Sequence, residues 1–328
     1  MNTVGDLGEF GLIRRLARVL PTTPAVLEGI GDDCAVLRYA DRLLLVSSDL
    51  FVEDVHFRRS MMGPEEIGWK AAAAAISDVA AMGGAPLFSL VSLACEGGTD
   101  VAFVESVYRG MANVFSQYGG VIVGGDTSRC TGPMVLDVTV IGEVSGNRCL
   151  RRRGALPGDV IAVTGYPGLS AAGLDALERG KDQAELTQRH RWPRPRIREG
   201  QWLCARPEVH AMLDTSDGLV QDAEHIAEAS GLGIDIESAR VPIAPILARH
   251  CEEYGLDAQA LILTGGEDYE LAFTMGAENH EETLRALNNE FRTVVTVVGR
   301  CTDEWTGVRV DGREPDVGGF DHFLNRDE

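Results

Sequence analysis

In the stretch GWKAAAAAISDVAAMGGAP, residues 68–86, an alanine-rich apolar run that meets glycine at 83 and 84 predicts a helix over 65–82. The β-branched and apolar run at 88–93 just beyond it reads as a strand. Asp78 then falls near the helix C-terminus, where the helix dipole disfavours an anion by roughly 0.3–1 kcal/mol. Something positive is expected to offset it.

Outward from this pair the same alternation continues. Residues 43–46, 121–123 and 135–144 read as strands and 101–117 as a helix. The basic, turn-bearing RRRGALPGD (151–159) interrupts the pattern, and a strand over 160–164 leads through Gly165-Tyr-Pro-Gly168, a tight turn, into a helix from about Ser170. Strands near Met212, Ile234, Leu271 and over 294–298, with helices over 220–229 and 281–289, follow. A chain of 328 residues exceeds what one core usually serves, so two domains are expected, 1–150 and 151–328, each α+β or α/β.

Composition narrows the partners. Acidic residues outnumber basic ones by 50 to 30, a formal charge of -20, which argues against nucleic acid and anionic membranes. The arginine-rich stretch 183–200 is therefore not read as a nucleic-acid site. Lys70 and Lys181 are the two lysines, so a phosphate site must lean on arginine, backbone amides or metal. The seven cysteines form no CxxC pair, no run approaches the roughly 18 apolar residues of a membrane span, and the start lacks a signal-peptide pattern. A cytoplasmic chain with reduced thiols is expected.

Chemistry concentrates in aspartates beside glycine or hydroxyl residues: GIGDD (29–33), SSD (47–49), SD (77–78), GGDT (124–127), DTSDG (214–218) and GGED (265–268). Each alone suits a turn or helix cap. Carboxylates converging to about 4 Å repel by on the order of 4 kcal/mol at an effective dielectric near 20, and must protonate or bind cations. Oxygen donors suit Mg²⁺, Mn²⁺ or Ca²⁺. Carboxylate-held Mg²⁺ beside glycine turns suits phosphoryl transfer, although the P-loop, protein-kinase and GxGxxG signatures are missing. A structural Ca²⁺ protein is disfavoured because the EF-hand loop is lacking.

In order, GIGDDCAV (29–36), SDLFVEDVHF (48–57), the stretch 68–86, GGDTSR (124–129), RRGALPGD (152–159), DTSDGL (214–219) and GGEDYEL (265–271) resemble the thiamine-monophosphate kinases of the aminoimidazole-ribonucleotide-synthetase (PurM-like) superfamily. The resemblance runs from Gly8 to Phe323. It implies an α+β, two-domain PurM-like fold, with an N-terminal ATP/Mg domain whose sheet or barrel forms the interface of a homodimer, and a C-terminal α/β domain. It implies in-line transfer from ATP to thiamine monophosphate, with several Mg²⁺ ions and K⁺ as a candidate further ion. Carried over by motif, Asp33, Ser47, Ser48, Asp49, Asp78, Asp126, Asp214 and Asp217 would hold metal, with Asp126, Asp49 and Asp78 catalytic. Gly125, Arg152, Ser216 and Tyr108 would contact ATP, and His56, Glu267 and Phe320 the thiamine phosphate. Asp54, Ala75 and Phe320 depart from the family's usual glycine, asparagine, and tyrosine or tryptophan. The alternative within the fold is an aminoimidazole-ribonucleotide-synthetase-like, hydrogenase-maturation-like or selenophosphate-forming enzyme. GGEDYEL and VHF favour the kinase, and no cysteine precedes Cys34 to serve selenophosphate chemistry.

Overall fold

Alternation decides the first layer. Along β3 (Arg42–Val52), Leu43, Leu45 and Phe51 are buried, and along β6 (Val135–Val144) so are Leu136, Val138 and Val140. A side-chain period of two sends these residues to one face of the sheet. The structure is a computed structural model describing residues 3–181, 183–278, 280–315 and 322–323.

The first half consists of α1 (Val4–Ala17), β1 (Val26–Glu28), β2 (Ala35–Tyr39), β3, α2 (Pro64–Ala81), β4 (Gly84–Cys95), α3 (Val101–Tyr118), β5 (Val121–Arg129) and β6. Its sheet has the order β1-β2-β3-β6-β4-β5. Only the β4–β5 pair is parallel, as the α3 crossover between them requires. The opposite face of this sheet leaves Leu50, Phe88, Leu90, Val121 and Val123 exposed.

The second half consists of β7 (Val160–Thr164), α4 (Leu169–Glu178), α5 (Ala184–Arg191), α6 (Ile197–Cys204), β8 (Val209–Asp214), α7 (Leu219–Ser230), β9 (Gly233–Ile236), α8 (Pro245–Tyr254), α9 (Ala258–Thr264), β10 (Leu271–Met275), α10 (His280–Phe291), β11 (Val295–Thr302) and β12 (Gly307–Val310). Its sheet order is β12-β9-β11-β7-β10-β8. β7 and β10 are buried at every position because cores form on both faces of this sheet, so they read as unbroken apolar runs instead of alternating ones.

Helix α2 holds the halves together. Pro64 stands at its first turn, and the Glu66 carboxylate accepts the Gly63 amide at 2.7 Å. Ala71, Ala72, Ala73 and Ala75 are fully buried in the first core, while Ala81 packs into a core of the second sheet. Close approach needs glycine on each partner: a Cβ on Gly68 would meet the Val107 carbonyl oxygen at 1.8 Å, and one on Gly110 the Glu65 carbonyl at 2.1 Å. Gly68→Ala is therefore expected to lower stability by about 3 kcal/mol, through overpacking against backbone that cannot rotate away. Urea denaturation checks this, and a loss below about 0.5 kcal/mol would mean that α2 and α3 separate freely.

Among the described residues no helix is long and apolar enough to cross a membrane. All seven cysteines are free.

Candidate active site

Three carboxylates from distant parts of the chain meet where the two halves join. Asp33 precedes β2, Asp78 lies in the last turns of α2, and Asp214 ends β8. One oxygen from each lies within 4.8 Å of the others. Asp33 and Asp214 are buried and Asp78 is half-buried.

Arg152 supplies the positive charge. Its Nη2 and Nε reach Asp33 Oδ1 at 2.6 and 2.9 Å, and its backbone amide donates to Asp32 Oδ1 at 3.2 Å. One guanidinium does not balance the set. Burial and then Asp49, Asp214 and Asp33 push the Asp78 carboxyl well above its ordinary value. Burial and then Asp33 raise Asp214 to about 8, and burial followed by Asp137 raises Asp49 to about 6. Burial and the neighbouring Asp33 raise Asp32 to about 7. Asp33 Oδ2 is buried without a hydrogen-bond partner. Oxygen-only donors, repelling carboxylates and an orphaned carboxylate oxygen together fit a hard divalent cation such as Mg²⁺.

The pleat sorts the SSD motif. The Ser47 hydroxyl donates to Asp78 Oδ2, and Asp49 adds to the field on Asp78 and Asp214. The side chain of Ser48, between them, projects to the other face, where its hydroxyl bonds Asp137 Oδ1 at 2.6 Å and Thr139 Oγ1 at 2.8 Å. A side-chain role for Ser48 beside Ser47 and Asp49 is not what this geometry provides.

Other candidates stand outside the cluster. Asp126 is exposed on β5, an edge strand, and accepts the Thr127 amide at 2.8 Å. At Gly125, φ is +153° and a Cβ would meet the Val91 carbonyl oxygen at 1.8 Å, so the neighbouring strand admits glycine alone. Asp217 lies in the turn before α7, with Gln221 Nε2 at 3.3 Å and His225 Nε2 at 3.9 Å. The Ser216 carbonyl accepts the Glu267 amide at 2.8 Å, which ties the DTSDG and GGED turns together. Tyr108, on α3, is half-buried against the first core. Phe320 lies outside the described residues.

A second focus gathers around Glu267. Its Oε1 pairs with Lys70 Nζ at 2.6 Å, and its Oε2 stands 3.6 Å from His190 Nδ1. Both Glu267 (φ +63°) and Tyr269 (φ +51°) hold left-handed backbone that costs a non-glycine residue roughly 1 kcal/mol or more. His56 stacks on Phe51 at 5.2 Å, approaches His322 at 5.0 Å and accepts the Val52 amide on Nδ1. Burial, with help from His322 and Lys70, pushes its pKa down to about 4, so the ring is neutral at pH 7. Asp54, just before it, has φ +66°, a conformation that favours glycine and that aspartate tolerates. Ala75 is fully buried in the first core, where a small apolar side chain fits.

Lys70, His190, Asp32 and Asp222 belong to these surroundings although sequence reasoning assigned them no role. Asp222 is buried and accepts the amides of Asp217 and Gly218 at 3.4 and 3.1 Å. Lys70 offered a signal, a lone lysine in an apolar helix. His190 offered none among the arginines around it.

The family pattern described as AIR synthase related protein, N-terminal domain, matches residues 31–144, and its C-terminal counterpart matches 157–311. A thiamine-monophosphate kinase of Aquifex aeolicus is 37% identical over 323 residues, 97% of this chain and 99% of that relative. One from Escherichia coli is 39% identical over 331 residues, 96% and 98% of the two chains. A solved structure described as AaThiL complexed with AMPPCP and TMP superposes with a TM-score of 0.88 at 36% identity, covering 98% of this chain and 99% of the other. The hydrogenase maturation protein HypE shares the fold at a TM-score of 0.70 and 21% identity, over 94% of this chain and 95% of the other.

Proposed function

The chain belongs to the thiamine-monophosphate kinase family of AIR synthase related proteins, with their two-domain PurM-like fold, and from that premise we propose that it transfers the γ-phosphoryl group of ATP to thiamine monophosphate. The products are thiamine diphosphate and ADP. The observation that carries this reading is the convergence of Asp33, Asp78 and Asp214 with Arg152 where the halves join. Acceptor and donor are both phosphates, so positioning two anions is the chief task. Mg²⁺ held by Asp33, Asp78 and Asp214, with Asp49 and Ser47 beside them, would neutralise the charge of both phosphates.

The chain's own groups do the rest. Arg152 is fixed by Asp33 with one nitrogen unspent on that pair, Nη1, for a phosphate oxygen. Gly125 lets backbone approach a nucleotide, and Ser216 and Tyr108 complete the ATP contacts in this reading. His56, Glu267 and Phe320 are assigned to the thiamine phosphate, and Asp126, Asp49 and Asp78 to catalysis, with Asp217 a further metal ligand. No general base is needed, because the acceptor phosphate is already anionic and attacks through its own oxygen.

Lys70 and Asp78 sit eight residues apart on α2, so the two foci are separated by about 12 Å along one rigid axis, within reach of a substrate with a ring at one end and a phosphate at the other. The exposed apolar face of the first sheet supports a homodimer through the N-terminal domains, taken as 1–150 with 151–328 as the second. Cytoplasmic placement and a role for K⁺ belong to the same reading.

ADP release measured separately with thiamine monophosphate, hydroxymethylpyrimidine phosphate and thiamine tests it. Activity with the first alone is expected, and ADP release with thiamine but not its monophosphate would overturn it.

A further inference from the structure

One of the two lysines has no place in that chemistry. Lys70 is fully buried, and its ammonium has three partners: Glu267 Oε1 at 2.6 Å, His190 Nε2 at 3.2 Å and the His56 carbonyl at 3.2 Å. An ammonium has three donors, so this one is saturated and cannot reach a phosphate. Because Nε2 of His190 accepts from Lys70, its Nδ1 carries the proton and donates to Ser170 Oγ at 3.1 Å. Burial and Lys70 push the imidazole down to about 3, so His190 is a neutral spacer.

Glu267 is arranged differently. One carboxylate oxygen is bound to Lys70, while the other stands 3.6 Å from the nearby His190 nitrogen, beyond hydrogen-bond range. The side chain keeps 27% of its surface exposed. Burial works to raise its pKa, but the Lys70 ammonium outweighs it and holds the carboxyl below the usual range. An apolar residue would fill the interior at position 70 at lower cost, since a buried ion pair gains little net stability. What the lysine adds is organisation, because one charge binds both the His56 loop and the Glu267 turn.

We propose that Lys70 is a positioning residue of the acceptor subsite, holding the Glu267 carboxylate by one oxygen so that the other is turned outward for an N–H-bearing or cationic ring of the acceptor. The inference rests on the assignment of Glu267 and His56 to the acceptor.

The test is a double-mutant cycle in steady-state kinetics with thiamine monophosphate and ATP varied separately. Lys70→Met is expected to raise KM for the acceptor about tenfold with KM for ATP changed less than about twofold, and Glu267→Gln to do the same. In the Glu267→Gln background, Lys70→Met should change the acceptor KM by less than about twofold, because its target charge is gone. Should Lys70→Met alone fail to fold, Glu267→Gln against the charge-free double variant still tests the target, since a further rise in the acceptor KM beyond about twofold would mean that Lys70 acts on a group other than Glu267 and would overturn the proposal. Multiplying effects, or an equal rise in KM for ATP, would overturn the role of Lys70 while leaving the kinase reading intact. Absence of turnover by the wild-type protein would remove that reading and this inference with it.

Discussion

Asp78→Asn is expected to lower turnover with thiamine monophosphate by about a thousandfold or more and, at the same time, to raise the melting temperature of the metal-free protein. A thousandfold corresponds to about 4 kcal/mol of lost transition-state stabilisation, the scale of one preorganised charge contact. Asparagine keeps the shape and can still accept the Ser47 hydroxyl, so the helix and its contacts persist. What disappears is a carboxyl that the metal-free fold must either keep protonated or ionise against Asp49, Asp214 and Asp33, and burial makes either costlier. Each kcal/mol so relieved raises the melting point by roughly 1.5 °C in a chain of 328 residues. Stabilisation by Mg²⁺ should shrink in parallel. Turnover within tenfold of wild type would remove Asp78 from the reacting centre, and a lower metal-free melting point would show that its charge is compensated already.

The second large effect is on pH. In EDTA the protein should lose stability as pH rises from about 4 to about 8, opposite to the usual rise on leaving acid. The unfolded chain releases its aspartate protons near the ordinary value of about 4. The folded chain keeps them longer, on Asp49 to about 6, on Asp32 to about 7 and on Asp214 to about 8. Asp268, raised to about 7, adds a fourth such group, while His56 and His190, pushed down to about 4 and about 3, oppose the trend below about pH 6.5, where the unfolded chain protonates them. Four raised carboxyls outweigh two lowered imidazoles, so the folded state binds more protons and stability falls with pH until the highest of the carboxyls has ionised. The lowered carboxyls, Glu267 among them, contribute only below this window. Divalent cation opposes the trend, because it binds the ionised form and releases the protons. Melting curves at pH 5, 6.5 and 8 should show a fall of about 5 °C or more in EDTA and at most half of it in saturating Mg²⁺. A melting point that is flat or rising in EDTA would mean that the carboxylates are separated or solvated.

Much of this frame was readable from the residues. The strands at 135–144 and 160–164 are observed with those ends, and the helix expected over 65–82 is α2, Pro64–Ala81. Side-chain period and helix-ending glycines are local signals. Helices α5, α6, α8 and α9 lie outside the expected elements because at 8, 8, 10 and 7 residues they are too short for an apolar repeat to stand out along the chain. Motif resemblance groups Ser47, Ser48 and Asp49 as one set, whereas the strand sends Ser48 to the face of Asp137 and Thr139. The period of two along β3 could have said as much. For Asp126 the GGDT turn suggested a place beside the other carboxylates, but the edge position of β5 leaves it exposed.

Residue type and spacing by themselves determined that the chain forms two mixed α/β halves, that its acids sit in glycine turns, and that a lone lysine lies in an apolar helix. Which acids meet was decided only when the two sheets closed around α2, bringing together Asp33, Asp78 and Asp214 and seating Lys70 under Glu267. Like charges do not seek one another, so no local preference encodes their contact. The packing of alanine and glycine faces against backbone holds them against their own repulsion, and that packing belongs to the folded chain as a whole.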